Sequence, residues 1–485
     1  MPQVVLYFRL SSNRDSMPRR ARTSSQSTLS RRSFFGAAAG ISLGLAGLKR
    51  SYGLDGLLPA PVFGFGPLVD DPEGLLALPE GFSYTIISRA GEHMDDGFYV
   101  PARHDGMATF PGPDGSTLLV RNHEMTWGNP ERLGPFGRDN ALLGRLDPGA
   151  IYDIGESGRP ALGGTTTLLF NTREQRLVGH RLSLAGTLAN CAGGPTPWGS
   201  WISCEETVQK VGGGRLEDHG YNFEVPATWD GGVATPVPLR AMGRFQHEAV
   251  AVHPASGIVY QTEDKGDGLI YRFIPDRPGQ LASGGRLQAL SILDQPSMDT
   301  RNWRGRTVRP GSPLAVGWID MSDVESPDND LRLRGFEAGA ARFARGEGMW
   351  WANNAVYFAC TNGGAVRKGQ IWRYVPAPYE GTSRESKEPG TVELFIEPNE
   401  GTLVENADNL TAAPWGDLIV CEDGTGDDYI FGVTPAGEIY KLGHNQGGIG
   451  EFAGSCFSPD GTTLFVNMQL KGLTVAITGP WDRRA

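Results

Sequence analysis

Cysteine is scarce in this chain. Five occur in 485 residues, at Cys191, Cys204, Cys360, Cys421 and Cys456, and no Cys-x-x-Cys pair is present. An odd number without close pairs excludes a disulfide framework and leaves at least one thiol free. Long apolar periods are missing too. After residue 50 no stretch keeps a 3.6-residue apolar repeat, so long amphipathic helices are not expected. Positive charge is also short. Residues 1–50 hold nine basic residues and one acid, Asp15; the remainder carries 35 Lys or Arg against 54 Asp or Glu, a net of −19. That balance disfavours nucleic acid and anionic membrane as partners. It suits a protein that binds hard cations, although charge kept for solubility leaves the same signature.

Glycine and proline are abundant, at 68 and 34 residues, which fits many short strands joined by turns. Short apolar or alternating runs recur: SYTIIS, STLLVRN, TTTLLF, GSWISCEE, GIVYQTED, AVYFACTN, GDLIVCED and TLFVNMQ. These runs belong to a repeat. PWGSWISCEE at 197–206 overlays PWGDLIVCED at 414–423 at a constant offset of 217, which also sets Asp408 in the place of Cys191. Further copies run over 248–264, 347–362, 105–124 and 456–467. Each has an opening residue, a strand, a Gly-containing turn, a second strand and a closing residue. Three continue into an aromatic strand, expected third in its unit, at 268–273, 369–374 and 437–441. Six such units predict an all-β, six-bladed propeller with loop insertions and a central metal-binding channel. The propeller spans 51–485 as a monomeric domain, with insertions at 207–240, 276–340 and 375–400.

Antiparallel hairpins return to the end they started from, so opening and closing residues converge on the channel. Opening positions hold Cys191, Glu248, Glu347 and Asp408. Closing positions hold Asn122, Glu124, Glu205, Glu206, Glu263, Asp264, Glu422 and Asp423. Single acids at strand ends often cap turns or face water, but here acids recur at equivalent places. Carboxylates packed this closely raise one another's pKa, and an unpaired buried ion costs several kcal/mol. A cation cluster relieves both. Oxygen ligands suit calcium or magnesium; the thiolate of Cys191 adds a softer metal such as iron, manganese or zinc. The other four cysteines lie in apolar runs and read as buried fillers. His123 and His247 read as loop-orienting hydrogen bonders, with ligation or acid–base work as the alternative. Arg345 stands two residues before Glu347, where strand alternation points both the same way. A guanidinium there suits bidentate grip on a phosphate. Arg244 is a second candidate, or a salt-bridge partner of the acids.

The N-terminus reads as an address. Ser30-Arg31-Arg32-Ser33 precedes an uncharged run over 34–48 and then Lys49-Arg50. That is the twin-arginine form of a signal peptide, and fifteen residues fall short of the ~20 that span a bilayer. Export by the twin-arginine machinery to the periplasm or beyond is expected, with no stable membrane anchor.

Taken together, NCAGGxTPWG…CEE at 190–206, GRFxHEA at 243–249, YxTED at 260–264, RxEG at 345–348 and ENADN at 405–409 resemble the PhoX-type bacterial alkaline phosphatases, over about residues 105–467. The resemblance implies a six-bladed propeller exported by the twin-arginine route. It implies a cluster of iron and calcium bridged by an oxo group, hydrolysing phosphate monoesters. By position, Cys191 resembles the iron-ligating cysteine, Glu248 and Glu347 resemble cluster carboxylates, and Arg345 resembles a substrate-binding arginine. Glu205, Glu206, Glu263, Asp264, Asp408, Glu422 and Asp423 carry over as metal ligands. Two other readings compete: a calcium-only propeller acting as lactonase or phosphotriesterase, and a non-catalytic propeller that binds a partner or ion.

Overall fold

The computed structural model describes residues 64–399, 404–424, 426–448 and 450–484, so the signal segment expected at 1–50 lies outside the described residues. Among these residues the fold is almost wholly β, with one helix, Leu331–Glu337, and single turns of 3₁₀ helix. Hydrogen bonding gathers the strands into five sheets of six, three, nine, four and four strands. The nine-stranded sheet is joined in its middle by only two residue pairs, Leu314 with Val392 and Ala315 with Thr391. No helix among the described residues is long and apolar enough to cross a membrane.

Six hairpins organise the sheets. Their opening strands are His104–Pro111, Asn190–Pro195, His247–Val252, Gly346–Ala352, Ala407–Ala412 and Phe452–Phe457. Each opening strand packs on the next, and the last packs on the first, so they form a closed ring. The arrangement is propeller-like. The ring's seam is tied by the strand Ser83–Arg89, which pairs antiparallel with Leu473–Thr478 near the other end of the chain.

The same irregularity interrupts all six hairpins. The register slips by one residue between His104 and Met107, Asn190 and Gly193, His247 and Val250, Gly346 and Met349, Ala407 and Leu410, and Ala453 and Cys456. A bulge adds one residue to a strand and re-aims the side chains there. The residues it re-aims begin with Asp105, Cys191, Glu248, Glu347, Asp408 and Gly454.

Small residues beside the bulges let neighbouring opening strands touch backbone to backbone. A Cβ on Gly348 would lie 2.6 Å from the Asp408 carbonyl oxygen and 2.7 Å from Asn409 Cα, and one on Gly106 would lie 2.5 Å from Ala192 Cα. Farther down the axis, Met107, Trp201, Met349, Trp350 and Leu410 leave only a narrow internal space. The polar residues therefore gather at one end of the hub. Gly348→Ala is expected to destabilise the protein by about 1–3 kcal/mol through overpacking, read by denaturant unfolding. A midpoint equal to the parent's would show that the strands have slack here.

Two expectations about the outer parts are corrected. The segments read as insertions contain sheet strands: Asn222–Pro226, Gly285–Ile292, Leu314–Asp320 and Thr391–Ile396. Thr391–Ile396 alternates buried and half-buried residues, so polar positions dilute its apolar signal. The aromatic run at 437–441 lies in the fourth strand of its unit, Ile439–Asn445, because the short strand Tyr429–Val433 precedes it.

Candidate metal centre

A backbone clamp repeats around the ring. The closing residue of each hairpin donates its N–H to the carbonyl of the residue two, or in the last hairpin three, before the bulged position. The pairs are Glu124 to Arg103 (2.9 Å), Glu206 to Ala189 (2.8 Å), Asp264 to Gln246 (3.1 Å), Thr361 to Arg345 (3.0 Å), Asp423 to Asn406 (3.1 Å) and Gln469 to Glu451 (3.2 Å). Bulge and clamp together set each closing side chain beside an opening one.

Four overlapping groups of ligand-type atoms result, the atoms in each lying within 4.8 Å of one another: Cys191–Glu206–Glu248, Glu248–Glu347–Asp408, Asp408–Asp423–Glu451 and Asp105–Glu124–Glu451. Glu248, Asp408 and Glu451 are each shared by two groups. Asp264 stands at the edge, where its carboxylate accepts from Arg345 Nε (2.7 Å) and Nη2 (3.0 Å). Arg345 Nη2 also reaches Glu347 Oε1 at 2.9 Å. Arg345 and Glu347 thus meet as expected, but not by strand alternation, since Arg345 has a left-handed φ of 51° and Glu347 sits on the bulge.

Of the twelve expected metal residues, the ring brings together Cys191, Glu124, Glu206, Glu248, Glu347, Asp408 and Asp423 in these groups, with Asp264 at their edge. Asn122, Glu205, Glu263 and Glu422 are spent on other partners. Asn122 donates to the carbonyls of Cys191 (3.2 Å) and Ala192 (2.6 Å) and accepts from Trp201 and Ser203. Glu205 accepts from the N–H of Leu188 and Gly220, Glu263 from Leu269 and the Tyr271 hydroxyl, and Glu422 from Glu405 and Tyr429. Successive residues of an extended chain face opposite sides. The second acid of each closing pair therefore faces the ring while the first braces the sheet behind it.

Two members of the groups, Asp105 and Glu451, were not among the expected ligands. Asp105 opens the repeat copy at 105–124 and so carries a signal in the sequence. Glu451 carried none, because its hairpin has Gly454 at the bulge and takes its acid from three residues earlier. The second candidate arginine is displaced: Arg244 Nη2 donates to the carbonyls of Val208 (2.6 Å) and Gln209 (3.2 Å) and lies apart from the groups. His123 is held between Thr166 and the Ala102 carbonyl, and His247 bonds the Gly243 carbonyl, so both orient loops. The other four cysteines are free and buried, each within an apolar cluster.

Electrostatics distinguish this centre from ordinary surface acids. Burial, and then the neighbouring carboxylates, push the pKa values of Glu248, Glu347, Glu206 and Asp105 well above the carboxylate range. Burial pushes the Cys191 thiol up, reinforced by Glu248 and Glu206. Its Sγ lies 3.4 Å from the His247 carbonyl and 3.7 Å from that of Glu248. Burial opposes the charge on Arg345, but Glu347 and Asp264 outweigh it. Asp264 and Glu347 contact Arg345 directly, and Glu206 and Asp408 lie near enough to feel its charge. Carboxylates in this excess fit multivalent cations: oxygen donors throughout suit hard ions, and one sulfur suits a softer one.

Behind Glu206, the fully buried His219 bridges two acids, with Nδ1 2.7 Å from Glu205 and Nε2 3.2 Å from Asp153. Burial disfavours its charge, but Glu205 and Asp153 override that and push its pKa up to about 9. A raised histidine contributes its stability fully below its ordinary value of 6.5 and loses it as pH rises through 9. His219→Ala is expected to cost about 3–5 kcal/mol at pH 6, by leaving two buried acids unpaired. The gap between variant and parent should narrow as pH rises through 9. A pH-independent gap in unfolding free energy would contradict the pairing.

The sequence family described as Alkaline phosphatase PhoX matches residues 63–134 and 160–472. A solved structure of Pseudomonas fluorescens PhoX in complex with vanadate, a transition state analogue, is similar at 19% identity over 86% of this chain and 98% of that one, with a TM-score of 0.62. A gluconolactonase from Xanthomonas campestris matches at 12% identity, over 87% and 99% of the two chains, with a TM-score of 0.37. A virginiamycin B lyase from Staphylococcus aureus matches at 12%, over 82% and 99%, with a TM-score of 0.35. No curated protein matches the sequence.

Proposed function

The chain belongs to the alkaline phosphatase PhoX family, and from that premise we propose how its ring of acids serves a metal-dependent phosphatase acting on phosphate monoesters. We count six blades, taking the nine-stranded sheet as two that touch at one short pairing. We assign the metals as iron and calcium. Cys191, with Glu206, Glu248 and Glu347, would hold the softer ion; Asp105, Glu124, Asp408, Asp423 and Glu451 would hold the harder ones. Bound there, such cations would supply Lewis acidity for phosphoryl transfer and for activating water.

The chain's own residues do the rest. Arg345 is held charged and aimed by Asp264, so it meets the substrate as a preformed donor through Nη1. It offsets charge that grows on the phosphoryl oxygens in the transition state. Glu347, in contact with Arg345, couples the position of that guanidinium to the metal groups. The outer acids Glu205, Glu263 and Glu422 fix the strand ends so that the inner acids cannot swing away. We further propose twin-arginine export to the periplasm or beyond, with the enzyme working as a monomer.

The observation carrying this reading is the bulge repeated in all six hairpins, which aims Asp105, Cys191, Glu248, Glu347 and Asp408 at one place beside one buried-edge arginine. The direct experiment assays purified, natively exported protein on p-nitrophenyl phosphate, on a lactone and on a phosphotriester, before and after chelation. Monoester hydrolysis lost on chelation is expected. Activity confined to the lactone or triester, or to none of the three, would favour the rival readings.

A further inference from the structure

We propose that Arg103 is a second phosphate-binding residue, gripping the phosphoryl group from the side of the ring opposite Arg345. This rests on the phosphatase reading. The two arginines occupy one position of the repeat. Each stands two residues before a bulged acid, Asp105 or Glu347, and each has a left-handed backbone, with φ of 53° and 51°. Each offers its carbonyl to the closing residue of its own hairpin, Glu124 or Thr361. The equivalent places elsewhere hold Ala189, Gln246, Asn406 and Glu451, so cations stand only in the first and fourth hairpins. In a closed ring of six, first and fourth are three steps apart in either direction. The two residues therefore stand across the ring from each other.

Their surroundings differ in an informative way. Arg345 spends Nε and Nη2 on Asp264 and Glu347, which leaves Nη1 for a ligand. Arg103 is half-buried, and its one side-chain hydrogen bond among the described residues runs from Nη1 to the Gln469 oxygen, 3.1 Å away. The Gln469 amide in turn donates to Asp105 and Glu124, at 2.9 Å each. A neutral amide thus stands between Arg103 and the acids of its own hairpin. The guanidinium is positioned through Gln469 by Asp105 and Glu124 but makes no salt bridge with them among the described residues. It keeps donors for an incoming anion. A planar guanidinium matches two oxygens of a phosphoryl group, and one on each side favours the dianion of a monoester over a singly charged diester.

The test uses metal-loaded, natively purified protein with inorganic phosphate as competitive inhibitor of p-nitrophenyl phosphate hydrolysis. Arg103→Ala should raise KM and the phosphate inhibition constant together, by about tenfold to a hundredfold, with metal content and melting temperature unchanged. Arg103→Lys should recover only part of the affinity. Arg103→Gln, which keeps length and polarity, replaces the alanine variant if that fails to fold. An unchanged inhibition constant would overturn the proposal. So would a rise seen only together with metal loss, which would make Arg103 a brace for Asp105 and Glu124. A parent enzyme without monoester hydrolysis would instead overturn the phosphatase reading, so the two failures are distinguishable.

Discussion

Glu248→Gln is expected to lower phosphatase activity on the order of a thousandfold, the loss of several kcal/mol of metal-assisted stabilisation. Glu248 is the side chain shared by the Cys191 group and the Asp408 group, so its loss weakens two sites at once. Bound metal should fall with activity. The metal-free protein should respond in the opposite sense. Burial and the nearby Glu347, Glu206 and Asp408 raise the Glu248 pKa far above its ordinary 4.5. A carboxyl raised on folding destabilises the fold progressively as pH climbs past 4.5, because the folded state holds a proton that the unfolded chain releases. The glutamine variant lacks that penalty. After chelation at pH 8 it should melt above the chelated parent, and at pH 4 the two should converge. A chelated variant that melts below the parent at both pH values would show that Glu248 is a structural hydrogen bonder and not one of a repelling set.

Arg345→Ala is expected to reduce kcat/KM by about a hundredfold to a thousandfold, the usual cost of removing one preorganised donor to transition-state charge. Metal content should be retained, since the arginine donates to Asp264 and Glu347 and ligates nothing. Lysine should not rescue it, because the pairing with Asp264 uses two parallel N–H groups that an ammonium cannot present. The readout is steady-state kinetics beside elemental content. Unchanged kcat/KM in a metal-replete variant would place Arg345 among structural salt bridges. Comparison with the Arg103 variants separates the roles: the Arg345 loss should fall mainly on kcat, the Arg103 loss on KM and phosphate inhibition.

Much of this site is legible in the sequence. The 217-residue offset between the two PWG units aligned Cys191 with Asp408, and both stand at bulged positions of equivalent hairpins. Glu248 and Glu347 were found the same way. What could not be read was the pairing register. A bulge is a relation between two strands, and either strand alone gives no sign of it. The Glu-Glu and Glu-Asp pairs likewise named the right turn without saying which acid faces the ring, and the backbone of the hairpin decides in favour of Glu206, Asp264 and Asp423. Glu451 was invisible because its hairpin departs from the repeat at Gly454. Arg244 misled for a related reason. It stands four residues before Glu248 in sequence, but its side chain closes over the 207–209 segment instead.

Cys191 remains the residue that separates this centre from an all-oxygen calcium site, and metal analysis is the direct way to ask what it does. Elemental quantification of the natively exported protein and of its Cys191→Ala variant, alongside monoester hydrolysis, is the decisive measurement. Iron together with calcium is expected in the parent, and loss of iron with loss of activity in the variant. Calcium alone in an active parent, or a Cys191→Ala protein with full metal content and full phosphatase activity, would contradict it.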